Sequence, residues 1–206
     1  MKKDKLLLRV LYVVVGIIIL CAGAGMSIKT GIGTDSCDCF YDGMSQLTGI
    51  SVGSITFIGS AILFVGTLII DKSKLGITTL IQVFLCKYPV DFFYNIYTCP
   101  SDNIIIKCLL CVFFIALMCL GAIIMISGGL GYSIYDAFTV GITDRFKVNY
   151  KVVRYSTDGF FLVISFIFHF FINIKCIGIG TILAFIFNAL FFDFFKKNLQ
   201  PRIEIK

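Results

Sequence analysis

The chain has 206 residues, 58% of them hydrophobic, a mean hydropathy of +0.97 and a formal net charge of +6. A soluble domain is nearer ~45–50% apolar, and here the excess runs along almost the whole length. That excludes a soluble enzyme, leaves no stretch for a separate soluble domain, and predicts one membrane domain over residues 1–206.

A helix needs ~20 apolar residues to cross the hydrocarbon, because every backbone polar group must be satisfied within the segment. The first such stretch is 6–26, behind Lys2, Lys3 and Lys5. Ala22-Gly23-Ala24 resembles a signal-peptide cleavage site, but a counterpart of this stretch in the second half argues for a retained span. A Gly-rich turn, Asp38 and a short, partly apolar segment follow, then a second span at 48–70. Residues 75–97 read as a third span although Lys87 and Asp91 interrupt them. Span four is 104–127, followed by another Gly-rich turn with Asp136. Span five, 152–174, opens with Arg154 and Asp158 and carries the single histidine, His169; span six is 177–195, and 198–206 form a tail.

Charge placement gives the orientation. With the N-terminus inside, fourteen of the eighteen basic residues fall in inside segments, including Lys72, Lys74, Arg145, Lys147, Lys196 and Lys197. That asymmetry predicts six spans with both termini cytoplasmic. The positive charge is then accounted for by topology and attraction to anionic lipid, and no nucleic-acid partner is needed.

The halves repeat. Shifted by 98 residues, VLYVVVGIIILCAGAGMSIKTGIG overlays CLLCVFFIALMCLGAIIMISGGLG, matching Cys21 to Cys119, Gly23 to Gly121, Gly31 and Gly33 to Gly129 and Gly131, and Asp38 to Asp136. Later the shift is 102: LGITTLIQVFLCKYPVDFF overlays IGIGTILAFIFNALFFDFF, matching Gly76, Thr79 and Asp91 to Gly178, Thr181 and Asp193. Three spans per half is an odd number, so the second half runs upside down. The predicted fold is all-α, six transmembrane helices in two inverted three-helix repeats (about 6–97 and 104–197), with short interfacial or re-entrant helices at the Asp38 and Asp136 segments. Inverted repeats are frequent in secondary transporters, whose sites lie between the halves; the step to transport is architectural analogy.

The order Gly-rich loop, Asp, Gly-x-Ser and Leu-Thr-Gly-x-Ser, here GIGTDSCDCFYDGMSQLTGISVG, resembles the YczE/YyaS/YitT-like bacterial membrane proteins. That group has Pro-Trp-Asp where this chain has Ser36-Cys37-Asp38, so only the Asp matches. Its Arg followed four residues later by an acid is matched by Arg154 and Asp158, and its Gly-x-Gly-Thr by Gly178–Thr181. The resemblance implies a bacterial-type cytoplasmic membrane location and a role in transport or in secondary-metabolite production.

Asp38 and Asp136 each have three readings. They are N-caps of short helices, they line opposite mouths of a pathway, or they are surface residues without a role. Arg154 and Asp158, spaced i, i+4, share a helix face; they either neutralise one another or contact substrate at a gate. Lys87 and Asp91 have the same spacing, and Asp193 repeats Asp91; interfacial anchoring and solute contact are the alternatives. His169 reads as a packed helix-interface residue.

Five of the nine cysteines, Cys21, Cys86, Cys108, Cys111 and Cys119, sit in apolar runs as small hydrophobes. Cys108-x-x-Cys111 lacks a second ligand pair, so no metal is predicted. Cys37 and Cys39, predicted to lie outside, are too close in sequence for an unstrained mutual disulfide. HExxH, GxSxG, GxxxxGK[ST] and a βαβ GxGxxG are missing, so neither catalysis nor a cofactor is expected. The leading expectation is a small-solute transporter or exporter in contact with lipid. Two others are a non-transporting membrane regulator with a protein partner or second copy, and the six-span subunit of a vitamin importer. Ala22 and Ala24 are wrongly spaced for the Ala-x-x-x-Ala of such subunits.

Overall fold

A computed structural model describes residues 3–171 and 173–203; Lys2 and Lys206 of the charge asymmetry, Ile172 of the fifth predicted span and the last three tail residues lie outside them. Among the described residues every regular element is a helix. In chain order these are α1 (Lys3–Lys29), α2 (Ser36–Thr48), α3 (Val52–Asp71), α4 (Ile77–Leu85), α5 (Lys87–Ile96), α6 (Ile104–Ser127), α7 (Ile134–Phe146), α8 (Tyr150–Phe171), α9 (Ile179–Asn198) and α10 (Gln200–Ile203). A 3-10 turn, Lys72–Lys74, follows α3.

Four helices, α1, α3, α6 and α9, are long and apolar enough to cross a membrane. Large apolar side chains point outward from these and neighbouring helices: Leu7, Ile69, Ile105 and Ile182 are between 64% and 78% exposed, which suits a lipid surround and not water. The other two predicted spans differ from expectation. Helix α8 has 22 residues, but Lys151, Arg154, Asp158 and His169 lower its hydropathy. Residues 75–97 form two segments, α4 and α5, meeting at Cys86, whose φ of −60° and ψ of −30° keep the path helical. Pro89 is the cause. It has no N–H for the Leu85 carbonyl four residues back, and its ring crowds that oxygen.

The centre is the crossing of α1 and α6. A Cβ on Gly23 would stand 2.7 Å from the Phe114 carbonyl oxygen and 2.8 Å from the Met118 nitrogen; one on Gly121 would meet the Gly16 carbonyl oxygen at 2.7 Å and the Leu20 nitrogen. These contacts are reciprocal, since 98 residues separate Gly23 from Gly121, Gly16 from Phe114 and Leu20 from Met118. The two backbones therefore approach closely on both sides of the crossing.

A second reciprocity ties each half to the other. The loop after α1 delivers the Ile32 carbonyl to the Gly180 N–H at 2.8 Å, and the loop after α6 delivers the Leu130 carbonyl to the Thr78 N–H at 3.3 Å. Gly33 and Gly131 turn these loops with φ of +89° and +123°, a region open to glycine. The loop after α1 is thus clipped to the start of α9, and the loop after α6 to the start of α4.

The short helices α2 and α7, of 13 residues each, are ~20 Å long at 1.5 Å per residue and cannot span. Helix α2 lies along α8 in the same direction, with Ser36 beside Asp158, Phe40 beside Phe161, and Gln46 donating to the Lys175 carbonyl. Helix α7 lies along α3 in the same way, with Phe138 against Gly66 and Asp144 paired to Lys74 beyond the end of α3. Both short helices begin partway along their long neighbours.

Gly121→Ala tests the crossing. The added methyl has no room against the α1 backbone, and overpacking of this kind costs ~1–3 kcal/mol, so thermal unfolding in detergent shifts several degrees downward. Gly159→Ala, where nothing lies within 4 Å, leaves the midpoint unchanged or slightly higher.

Candidate functional site

The starts of α2 and α7 bring carboxylates to one place. Asp35 precedes α2 and Asp38 is its third residue; Ser133 caps α7 and Asp136 is its third residue. In α7 the cap closes on itself: Ser133 Oγ accepts from the Asp136 N–H at 3.1 Å and donates to Asp136 Oδ2 at 2.7 Å. The cap residues are therefore Asp35 and Ser133. Asp38 and Asp136, one expected role of which was capping, stand three positions later. At that position a carboxylate still gains ~0.3–1 kcal/mol from the helix dipole.

Helix α8 supplies the cation. Arg154 Nη1 donates to Asp136 Oδ1 at 3.0 Å, its Nε lies 3.5 Å from Asp158 Oδ2, and its guanidinium covers the Tyr135 ring at 4.2 Å. The expected i, i+4 pair forms, but the shorter contact is the cross-helix one to Asp136. Tyr135 Oη donates to Asp158 Oδ1 at 2.6 Å, and Ser36 Oγ of α2 donates to the same oxygen at 3.1 Å. Tyr150 Oη donates to Asp136 Oδ1 at 3.3 Å.

The first half and α9 complete the cluster. Asn188 Nδ2 donates to Asp35 Oδ1 at 3.0 Å, and Asn188 Oδ1 accepts from Cys119 Sγ at 3.1 Å. Gln82 of α4 accepts the Ile134 N–H at the start of α7, at 2.8 Å. Asn188 stands nine residues into α9 and Asp158 eight residues into α8, ~13 Å and ~12 Å along helices of ~30 Å. The cluster thus lies midway along both.

Asp38 differs from its counterpart. Shifted by 98, Thr56 occupies the position of Arg154, and its hydroxyl is turned back to the Val52 carbonyl at 2.9 Å. Asp38 Oδ2 is buried and has no hydrogen-bond partner. Burial first, then the carboxylates of Asp35 and Asp42, push the Asp38 carboxyl well above the usual carboxylate range. Asp35 is also raised, by burial and then by Asp158, against the opposing pull of Arg154 and Asn188. A buried ion without a partner costs several kcal/mol, more than the dipole at the start of α2 returns.

The secondary candidates fall elsewhere. Among the described residues Lys87 and Asp91 form no ion pair. Asp91 instead accepts from the Gly53 N–H at 2.7 Å and from Ser51 Oγ at 2.8 Å, tying the start of α3 to α5. Lys87 lies 6.0 Å from the Tyr88 ring, and Asp193 is exposed. His169 packs edge-on against Phe170 at 5.1 Å. The nine cysteines are free, and no group of three or more His, Cys, Asp or Glu among the described residues could hold a metal ion. Sequence reasoning missed Asp35, Ser36, Tyr135 and Asn188. Ser133-x-x-Asp136 was a readable capping signal, and Asn188 was a polar residue inside an apolar run.

Four apolar helices of membrane length together with a half-buried polar cluster define the class, a helical membrane protein of several long helices. The chain belongs to a family of unknown function, DUF6198, whose profile matches residues 7–197. It is 28% identical over 203 residues to the uncharacterized protein YyaS of Bacillus subtilis (strain 168), a match covering 94% of each chain. No solved structure matches.

Removing the guanidinium tests the cluster. With Arg154 and Asp136 side chains 34% and 25% exposed, Arg154→Ala costs roughly 2 kcal/mol, between a surface pair at ~0–1 and a fully buried one at ~3–5. Asp193→Ala stays within about 0.5 kcal/mol. Thermal unfolding of the two variants in the same detergent separates them.

Proposed function

We propose that this protein is a small-solute transporter or exporter, and not an enzyme. It resides in a bacterial-type cytoplasmic membrane as six spans in two inverted halves, both termini inside. The carrying observation is the hydrogen bond from Ser36, in the first half, to Asp158, which also faces Arg154 in the second. Polar groups of both halves converge midway along their helices, where ionisable groups are costly and mark solute pathways in membrane proteins. The reciprocal glycine contacts and loop clips support the inverted arrangement. The Pro89 break and the charged first turns of α8 are departures from uninterrupted spans that suit helices lining a pathway.

In this reading Asp136, Arg154 and Asp158 contact solute or close the path, with Tyr135 and Ser36 orienting Asp158. Asp38 belongs to the same path from the first half. Lys74, paired to Asp144, and Gln46, donating to the Lys175 carbonyl, fasten the far ends of α7 and α2, and their release accompanies opening on either side.

A second reading is a non-transporting regulator that binds a protein partner within the bilayer. What favours it is an apolar groove of about 260 Å³ on the outer surface, lined by Leu11, Tyr12, Val15, Ile124, Leu199 and Ile203. Co-purification of a stoichiometric partner, lost on Val15→Trp and kept on Asp136→Ala, separates it from transport.

Two measurements test the leading reading. Reporter fusions at residues 100 and 206 are expected on opposite faces; the same face for both ends the inverted layout. Solutes that leave cells only when the wild-type chain is produced are next loaded into proteoliposomes. Flux through Asp136→Ala plus Arg154→Ala is expected to fall at least about tenfold, the effect of ~1.4 kcal/mol or more on the limiting step. Undiminished flux removes these residues from the pathway.

A further inference from the structure

Helix α2 packs on α8, α3, α1 and α9, and the ionisable groups around Asp38 can be named element by element. From α2 and its cap come Asp35, Cys37, Tyr41 and Asp42; from α1 comes Cys21. From α3 the hydroxyls of Thr56 and Ser60 go to the Val52 carbonyl and to Cys86, and α9 offers the neutral Asn188, bonded to Asp35. The nearby cations are already engaged: Arg154 of α8 with Asp136 and Asp158, and Lys29 over the Tyr94 ring at 4.2 Å. The cluster as a whole holds four carboxylates, Asp35, Asp38, Asp136 and Asp158, against one guanidinium.

We propose that Asp38 is a proton-binding site, its carboxyl protonated when the site is otherwise empty and serving as the coupling group of the transporter. The coupling role rests on the transport reading; the bound proton does not. Three observations carry it. Asp38 Oδ2 is buried without a partner, the position equivalent to Arg154 is Thr56 with its hydroxyl turned away, and Asp35 next to it is already committed to Asn188. A proton supplies the missing positive charge and needs no cavity. Loss of that proton leaves two neighbouring carboxylates unbalanced, which favours opening of the site to water.

The test is infrared difference spectroscopy of the purified full chain in nanodiscs, titrated from acid to alkaline pH in sodium-free buffer. The wild type is expected to keep a protonated-carboxyl C=O band at pH 7 and lose it only on the alkaline side. Asp38→Asn removes the band, Asp136→Asn leaves it, and Asp35→Asn moves its midpoint at least about one pH unit toward acid by deleting the neighbouring negative charge. A fully ionised wild type at pH 7 overturns the proposal, as does a band that survives Asp38→Asn. Loss of the band on adding sodium at fixed pH also overturns it, in favour of a sodium site. Stability gives a second readout should Asp38→Asn fold poorly. A carboxyl raised in the folded state binds its proton more tightly than the unfolded chain does. Asp38 therefore contributes most to stability at and below the ordinary carboxylate range near ~4, and that contribution falls as pH rises above it; Asp35→Asn narrows the fall. A titrating band in a protein that carries no solute leaves the proton site standing and removes only the transport reading.

Discussion

Everything in this fold is arranged around the beginnings of two short helices in its interior. A helix start exposes N–H groups without intrahelical partners, and an apolar surround makes each unpartnered group expensive. The chain meets that demand with acceptors of graded strength. Ser133 and Gln82 satisfy the start of α7. Asp136 places negative charge where the dipole of α7 favours it. Once carboxylates are buried there, a cation has to follow, and Arg154 reaches across from α8. The long helices α1 and α6, pressed together at Gly16, Gly23 and Gly121, hold the rest of the chain around this arrangement.

The sequence made the scaffold legible because glycine and aspartate are informative in an apolar chain. Gly23 and Gly121 share a register, and the structure puts both in one crossing. The pairing of Gly76–Thr79 with Gly178–Thr181 foretold two similar helix starts, although not that each would be clipped by the loop of the opposite half. Asp38, Asp136, Arg154 and Asp158 were selected from their spacing and types, and three of the four form one bonded network.

What stayed hidden depends on directions between helices, which one-dimensional periodicity does not encode. Arg154 and Asp158 are neighbours on a helical wheel, whereas the shorter Arg154–Asp136 contact exists only because α7 returns against α8. Lys87 and Asp91 have the same wheel relation and yet do not pair, since the start of α3 offers Asp91 a backbone N–H and a hydroxyl. Spacing marks which residues can meet; the competing partner decides whether they do. Hydropathy failed in a similar way at residues 75–97, where a single proline divides what the apolar count reads as one helix.

Asp38 and Asp136, 98 residues apart, are each the third residue of a 13-residue helix, so a chemical difference between them comes from what surrounds them. Here the difference is concentrated. Asp38 and Asp136 share a helix position, while the partner position holds Thr56 in one half and Arg154 in the other. In the second half the carboxylate is neutralised by the protein itself and the pair is fixed. In the first half Asp38 Oδ2 is buried without a hydrogen-bond partner. A wholly symmetric pair of ion bridges would lock the interior, and a symmetric pair of unpartnered carboxylates would repel and draw in water. One fixed ion pair beside one buried carboxyl oxygen without a hydrogen-bond partner leaves the two helix starts chemically unequal, and the inequality traces to Thr56 standing where the other half has Arg154.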